Sequence, residues 1–263
     1  MNSLTSTDQN TDSGSVSAAV LLVGNEILSG RTQDSNLAFI ADALGDRGIR
    51  VIEARVIPDI AEVIQTTLQE LRQRADFVFT TGGIGPTHDD ITAENVAAVF
   101  GVDLHTHPEA ERRLLAYFSE RGVEPNAARM RMAKVPVGAT LVDNPVSIAP
   151  GFRIGNVFVM AGVPKIMQAM LANILPELPQ ADRLLSVTVI CDLPEGALAA
   201  PLGKLQDKHS DVDLGSYPGK TADNFRVALV ARTNNQQRLD AVSVELRKMV
   251  ADLGGNELSD QSL

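Results

Sequence analysis

The chain has no tryptophan and only two tyrosines and eight phenylalanines in 263 residues. That leaves few platforms on which single-stranded nucleic acid could stack. Positive charge is also short, with 23 Lys and Arg against 33 Asp and Glu, a formal net charge of −10. This balance argues against a broad nucleic-acid or anionic-membrane surface, although it leaves room for a local basic pocket that binds phosphate. A single cysteine, Cys191, excludes an internal disulfide framework and a multi-cysteine zinc site. Its neighbours Thr188-Val189-Ile190 read as a strand, so Cys191 is expected to be a small buried thiol. No apolar run approaches the roughly 18 residues of a membrane helix. Residues 1–17 lack a basic start and an apolar core. They are expected to form a disordered polar tail rather than a secretory signal, and the expected location is cytoplasmic.

Apolar residues are plentiful, at 44%, and their spacing predicts the organisation. Ala18–Val23, Ile49–Ile57 and Asp76–Thr81 read as strands. Between them lie amphipathic helices, one from Asp34 or Ser35 to Arg47 and one from Pro58-Asp59 to Arg74. Alternating strands and helices predict a mostly parallel sheet in an α/β domain. Helices are also expected over Ile91–Phe100 and Pro108–Gly122, with a loop at 24–30 and irregular chain at 138–150. Val157–Met160 reads as a strand, followed by a helix from Gly162-Val163-Pro164 through Leu175. Pro176 and Pro179 mark a boundary. The expected domains are therefore 18–178 and a small α+β module over 179–254. The module has strands at 184–190 and 224–231, helices at 198–208 and 239–253, and a polar tail at 255–263.

The densest signal is Thr80-Thr81-Gly82-Gly83-Ile84-Gly85-Pro86-Thr87-His88-Asp89-Asp90-Ile91-Thr92. A strand, a glycine loop and a helix in succession offer backbone N–H groups to a phosphate. Gly82, Gly83 and Gly85 would let the backbone approach a ligand, or would simply permit a tight turn. Thr81 and Thr87 can donate hydroxyls to phosphate oxygens or satisfy local backbone. Asp89 and Asp90 could hold a divalent metal over that phosphate, and Asp90 would serve equally as a helix cap. Asn25 and Glu26 follow the first strand and Asp59 the second, so all three are expected at the same carboxyl edge of the sheet. Asp34 and Asn36 could bind or position the ligand, with helix capping the alternative for Asp34. His88 neighbours the carboxylates, whereas His105 and His107 read as exposed loop residues. Arg129, Arg131 and Lys134 form a basic cluster suited either to phosphate or to solvent.

Four segments in order resemble the competence/damage-inducible protein A (CinA) family, whose N-terminal part is of the molybdopterin-binding type. They are Gly24-Asn25-Glu26-Ile27-Leu28-Ser29-Gly30, the 80–92 run, Ala149-Pro150-Gly151-Phe152 and Gly162-Val163-Pro164. Gly215-Ser216-Tyr217-Pro218 and its surroundings resemble the second domain of that family. The resemblance implies a three-layer α/β/α fold and a divalent metal such as Mg²⁺, Mn²⁺ or Co²⁺. The partner would be a small-molecule nucleotide or a pterin, with molybdopterin a candidate ligand and self-association into a homo-oligomer expected. Three activities are implied: hydrolysis of the pyrophosphate of ADP-ribose, adenylylation of molybdopterin, or binding without turnover.

By the same resemblance, Asp90 and Thr92 match an Asp-x-Thr element of the family. Glu94 is a candidate base, and Glu26 a further catalytic candidate. Asn144, Pro150, Gly151, Gly162 and Pro164 would complete the pocket. Some members carry a further C-terminal nicotinamide-nucleotide amidase domain, for which this length leaves no room, so amidase activity is not expected. The chain has Ser147-Ile148 where the family usually has Gly-Thr, and Lys165-Ile166-Met167 where it usually has Ser-Glu-Met. These changes remove a hydroxyl and a carboxylate, which favours binding without turnover.

Overall fold

The computed structural model describes residues 16–219 and 226–258. The chain divides into two compact units, one up to Ala181 and one from Asp182.

The first unit is built on a six-stranded sheet. Its strands are β1 (Ser17–Val23), β2 (Arg50–Ile57), β3 (Phe77–Thr81), β6 (Thr140–Val142), β7 (Gly151–Ile154) and β8 (Val157–Met160), in the order β2-β1-β3-β8-β7-β6. β2, β1, β3 and β8 run parallel, and β7 and β6 are antiparallel additions. β1 is central and apolar nearly throughout, as a strand covered on both faces must be. Its alternate residues serve opposite cores. Ala18, Val20 and Leu22 pack with Ile40 and Leu44 of α2 (Asn36–Gly45) and with Met167, Met170 and Leu171 of α7 (Pro164–Ile174). Ala19, Leu21 and Val23 pack with Ile64, Leu68 and Leu71 of α3 (Ala61–Arg74) and Val96 of α4 (Thr92–Phe100). The three layers follow directly from this alternation.

This arrangement places the site. The chain leaves β1 toward the α2 face and leaves β3 toward the α4 face. Neighbouring strands whose connections diverge open a crevice at their carboxyl ends.

Several short elements escape the sequence. One helical turn, α1 (Asn25–Leu28), occupies the expected 24–30 loop. β4 (Leu104–Thr106) pairs with β5 (Lys134–Pro136) around α5 (Pro108–Glu120) and α6 (Ala127–Met130). Three-residue strands are too short to show a period. β7 begins at Gly151, where a Cβ would stand 2.3 Å from the Val159 carbonyl oxygen. The glycine expected to complete the pocket is thus a requirement of close strand approach.

In the second unit β9 (Leu185–Cys191), β10 (Asp213–Gly219), β11 (Arg226–Thr233) and β12 (Glu257–Leu258) form an antiparallel sheet in the order β10-β11-β9-β12. Leu198 of α8 (Glu195–Lys208) and Val242 and Leu246 of α9 (Gln236–Asp252) pack on Val189, Cys191 and Leu229. Cys191 is fully buried, and burial pushes its thiol pKa up, away from the reactive thiolate. β10 carries the Gly215–Pro218 motif and is not predicted, since Gly and Pro are poor strand signals. β12 lies in the expected polar tail yet pairs with β9. Of the expected tail over 1–17, Ser17 instead opens β1 and is hydrogen-bonded to Asp76, while positions 1–15, the rest of the C-terminal tail from 259 and positions 224–225 of the predicted strand lie outside the described residues. Among the described residues no helix is long and apolar enough to cross a membrane.

Ile148 is the only non-glycine with positive φ among the described residues, at 68°. Asn144 holds it there: Oδ1 accepts from the N–H groups of Val146 and Ser147, and Nδ2 donates to the Ala149 carbonyl at 2.8 Å. A β-branched residue in that conformation costs about 1–3 kcal/mol. Ile148→Gly should therefore raise stability by about 1 kcal/mol after the entropy of glycine in the unfolded chain is deducted. Urea denaturation checks this, and an unchanged or lower midpoint would show that the lost Ile148 contacts outweigh the strain.

Candidate functional site

The site begins with two glycines. Gly82 has φ of 100°, and a Cβ there would stand 2.1 Å from the Val23 carbonyl oxygen at the end of β1. Gly83 has φ of 68°, and its Cβ would stand 2.1 Å from Thr92 Oγ1. Thr92 ties this loop to the first turn of α4. Its hydroxyl donates to the Gly82 carbonyl at 3.0 Å and its N–H to the Gly83 carbonyl at 3.0 Å. Thr92 is 1% exposed, so it braces the loop from beneath and does not face a ligand. Thr81 is equally buried at the end of β3.

Beyond the glycines the loop folds onto Asp90. Asp90 Oδ2 accepts from the Thr87 N–H at 2.8 Å and from the Thr87 hydroxyl. A Cβ at Gly85 would stand 2.7 Å from Asp90 Oδ2, so Gly85 makes room for the carboxylate. Arg131 clamps the loop from across the cavity. Its guanidinium donates to the carbonyls of Thr87 at 3.1 Å and Asp90 at 3.0 Å and lies 3.9 Å from Glu94 Oε2.

These groups enclose a cavity of about 150 Å³, lined by Gly83, Gly85, Asp90, Glu94, Arg131 and Lys134. Pro150 and Phe152 also line it, with Ile84, Ala93, Leu104 and Met132. Two carboxylates, two cations and a glycine loop thus share one space. Arg131 and Lys134 belong to the basic cluster seen in the sequence. Arg129 does not reach the cavity: it donates to the Glu124 carbonyl and stacks toward Phe118. Phe152 stands in the Ala149–Phe152 segment that carries the resemblance but is not singled out by the sequence as a pocket residue, because an apolar wall looks like core.

Other predicted residues are put to different uses. Asp59 Oδ2 accepts the Asn25 N–H at 2.9 Å and so caps α1 across the sheet edge. Asp34 caps α2 by accepting from the N–H groups of Asn36 and Leu37. Asn25 and Glu26 are exposed at that edge and do not line the cavity. Asn36 is buried and donates to the Gly162 carbonyl at 2.8 Å, joining α2 to the loop after β8, while its Oδ1 has no partner. Gly162 packs on Gly82, and Pro164 sits in the first turn of α7, a position that suits proline. Asn144 and Gly151 serve the turn and the strand pairing described above. Asp89 points outward, and the nearby Thr87 hydroxyl holds its carboxyl below the usual carboxylate range. His88 is 98% exposed. His105 and His107, expected as exposed loop residues, are half-buried: His105 lies in β4 and His107 caps α5 through Nδ1.

No three His, Cys, Asp or Glu side chains converge on a metal position among the described residues. Asp90 and Glu94 nevertheless suit a hard cation that takes one or two carboxylates and completes its shell with phosphate oxygens and water, as Mg²⁺ does.

Residues 19–180 match the family model described as "Probable molybdopterin binding domain", and residues 183–254 match "FAD synthase, middle domain". A solved structure, the protein CinA of unknown function from Thermoplasma acidophilum, is 34% identical with a TM-score of 0.58. That likeness covers 62% of this chain and 99% of that one. The chain belongs to the CinA family. A protein from Aeropyrum pernix is 33% identical over 93% of this chain and 97% of its own length. A CinA-like protein of Citrifermentans bemidjiense is 44% identical over 61% of this chain, and one of Salinibacter ruber 32% identical over 89%. The aligned parts are 40% and 60% of those two proteins, so this chain spans less than two thirds of either.

The departures from the usual CinA pattern lie away from the cavity. Ser147 and Ile148 belong to the Asn144 turn. Ile166, in the first turn of α7, packs against the core, and Lys165 beside it is exposed.

The brace under the loop can be tested by stability alone. Thr92→Val keeps the shape but leaves the buried Gly82 carbonyl without its donor, an expected loss of about 1–3 kcal/mol. Gly82→Ala should cost more than about 1 kcal/mol, since it combines positive φ with a backbone clash. His88→Ala, on the exposed tip, should stay within about 0.5 kcal/mol of the parent. Urea midpoints of the three variants check the order.

Proposed function

We propose that this protein is a divalent-metal-dependent nucleotide pyrophosphatase acting on ADP-ribose-like dinucleotides. The observation that carries the proposal is the single cavity shared by the Gly83–Gly85 loop, two carboxylates and two cations. About 150 Å³ suits a phosphate group with its ion. It falls below the roughly 300–1,000 Å³ of sites that enclose a whole drug-sized ligand. The base and sugar of the substrate would therefore lie outside, over the loops at the sheet edge.

Asp90 and Glu94 would hold the divalent ion. When bound, that ion neutralises charge on the phosphate oxygens and lowers the cost of attack. Asp90 is oriented for this by Thr87 on one side and the space over Gly85 on the other. The glycine loop presents backbone to the phosphate without a side chain in the way. Glu94, half exposed beside Arg131, would accept the proton of the attacking water. Hydrolysis of the pyrophosphate then releases AMP and a phosphosugar.

Adenylylation of molybdopterin would use the same cavity with a different acceptor, and the match to a molybdopterin-binding model favours keeping it as the second reading. Binding without turnover loses its sequence support, because the positions that depart from the family pattern do not line the cavity.

The test is incubation with ADP-ribose, FAD and NAD, with Mg²⁺, Mn²⁺ or Co²⁺ and with chelator, reading AMP by mass spectrometry. AMP should require metal and should fall to background in Asp90→Asn. Asparagine keeps an acceptor facing Thr87, so that variant should retain its melting temperature. Glu94→Gln should slow release by about 100-fold or more. No AMP from the parent under any condition, or a metal-responsive Asp90→Asn, would overturn the proposal.

A further inference from the structure

The two cations of the cavity are not equivalent. Arg131 is anchored: its guanidinium is hydrogen-bonded to the carbonyls of Thr87 and Asp90 and faces Glu94. Lys134 sits at the start of β5, lines the same cavity and is exposed. Among the described residues its ammonium makes no hydrogen bond or ion pair, although Asp90 and Glu94 line the same space. A long cation left without an acid at the mouth of a small polar cavity is free to meet an anion from solution.

Charge counting points the same way. Asp90 and Glu94 balance Arg131 and Lys134, so the cavity itself is neutral. A divalent ion held by the carboxylates would leave two positive charges, matching the two negative charges of a pyrophosphate diester. Removing the Lys134 charge would halve that complement while leaving the carboxylates and the clamped loop in place.

We infer that Lys134 is the side chain that recognises the phosphate charge of the ligand, and that it selects phosphate-bearing nucleotides over uncharged nucleosides. Arg131 by contrast acts as a positioning residue for the loop. This rests on the pyrophosphatase reading for the location of the ligand but needs no turnover to be tested. β5 fixes the Lys134 backbone by pairing with β4, while the side chain is exposed at the cavity. An ammonium suits this task because it is a point charge on a flexible stem, whereas a guanidinium is better held in one plane.

The experiment is calorimetric titration of the full chain with ADP-ribose (as its non-hydrolysable α,β-methylene analogue), AMP and adenosine in the presence of Mg²⁺, for the parent, Lys134→Gln and Lys134→Arg. The parent should bind ADP-ribose and AMP more tightly than adenosine. Lys134→Gln should lose about 10-fold in affinity for both phosphate-bearing ligands, with adenosine unchanged. Lys134→Arg should recover most of the loss. If the parent discriminates and Lys134→Gln discriminates equally, the assignment of Lys134 is overturned while the cavity stands. If the parent itself fails to prefer ADP-ribose over adenosine, the cavity is not a phosphate site and both readings fall. Equal melting temperatures for the three chains separate a binding effect from a folding one.

Discussion

The backbone of Gly82 passes so close to the end of β1 that even a methyl group would meet the Val23 carbonyl oxygen. Much of the site is arranged around this approach. It brings the loop after β3 against the loop after β1, at the place where their connections diverge to opposite faces of the sheet. Gly162 packs on Gly82 from the third side, and Asn36 ties Gly162 to α2. With three strand ends drawn together, the remaining loop, from Gly83 to Ile91, has to arch outward. Thr92 returns it to the helix by two hydrogen bonds, one from its hydroxyl and one from its N–H. The glycines thus fix the frame before any ligand is considered, and phosphate binding would exploit a geometry the fold already needs.

Arg131 joins this frame to the rest of the unit. Its guanidinium reaches carbonyl oxygens three residues apart on the arch. The arch is thus held at its outer end by Arg131 as Thr92 holds it at its inner end. Lys134 follows three residues later, on the short strand β5 that pairs with β4. The 3₁₀ turn Arg131–Ala133 and the short strand β5 therefore deliver the positive side of the cavity, while helix α4 delivers Glu94. Opposite charges thus come to one space from different elements.

The parts of the fold that were legible in the sequence are those whose burial leaves a long pattern. β1, β3 and β8 are apolar runs because both of their faces are covered, and α3 shows its inward stripe at Ile64, Leu68 and Leu71. The 80–92 run was legible because glycines, carboxylates and threonines stand together between a strand and a helix. What the sequence does not separate is a carboxylate that caps from one that faces a ligand. Asp34, Asp59 and Asp90 all follow strands near the same edge, and each accepts backbone N–H groups. Only Asp90 also lines the cavity, and that depends on the space over Gly85, which no spacing rule reveals. Asn144 and Gly151 were drawn toward the pocket by resemblance, yet one organises a turn and the other lets two strands approach.

The size of the cavity divides chemistry from identity. A space that holds a phosphate and its ion can stabilise charge at phosphorus whatever group the phosphate carries. On the proposed reading, discrimination between an adenosine, a ribose and a pterin would come from outside, from exposed groups such as Asn25 and Glu26 at the sheet edge. Those residues lie on a single helical turn, tied to the end of β2 by the Gly24 N–H to the Ile57 carbonyl and to Asp59 by the Asn25 N–H, and their side chains are exposed. The constraint on the arch is severe and the constraint on the edge is slight. One frame can therefore serve ligands that share little besides a phosphate, and resemblance at the arch says less about the substrate than about the bond that reacts.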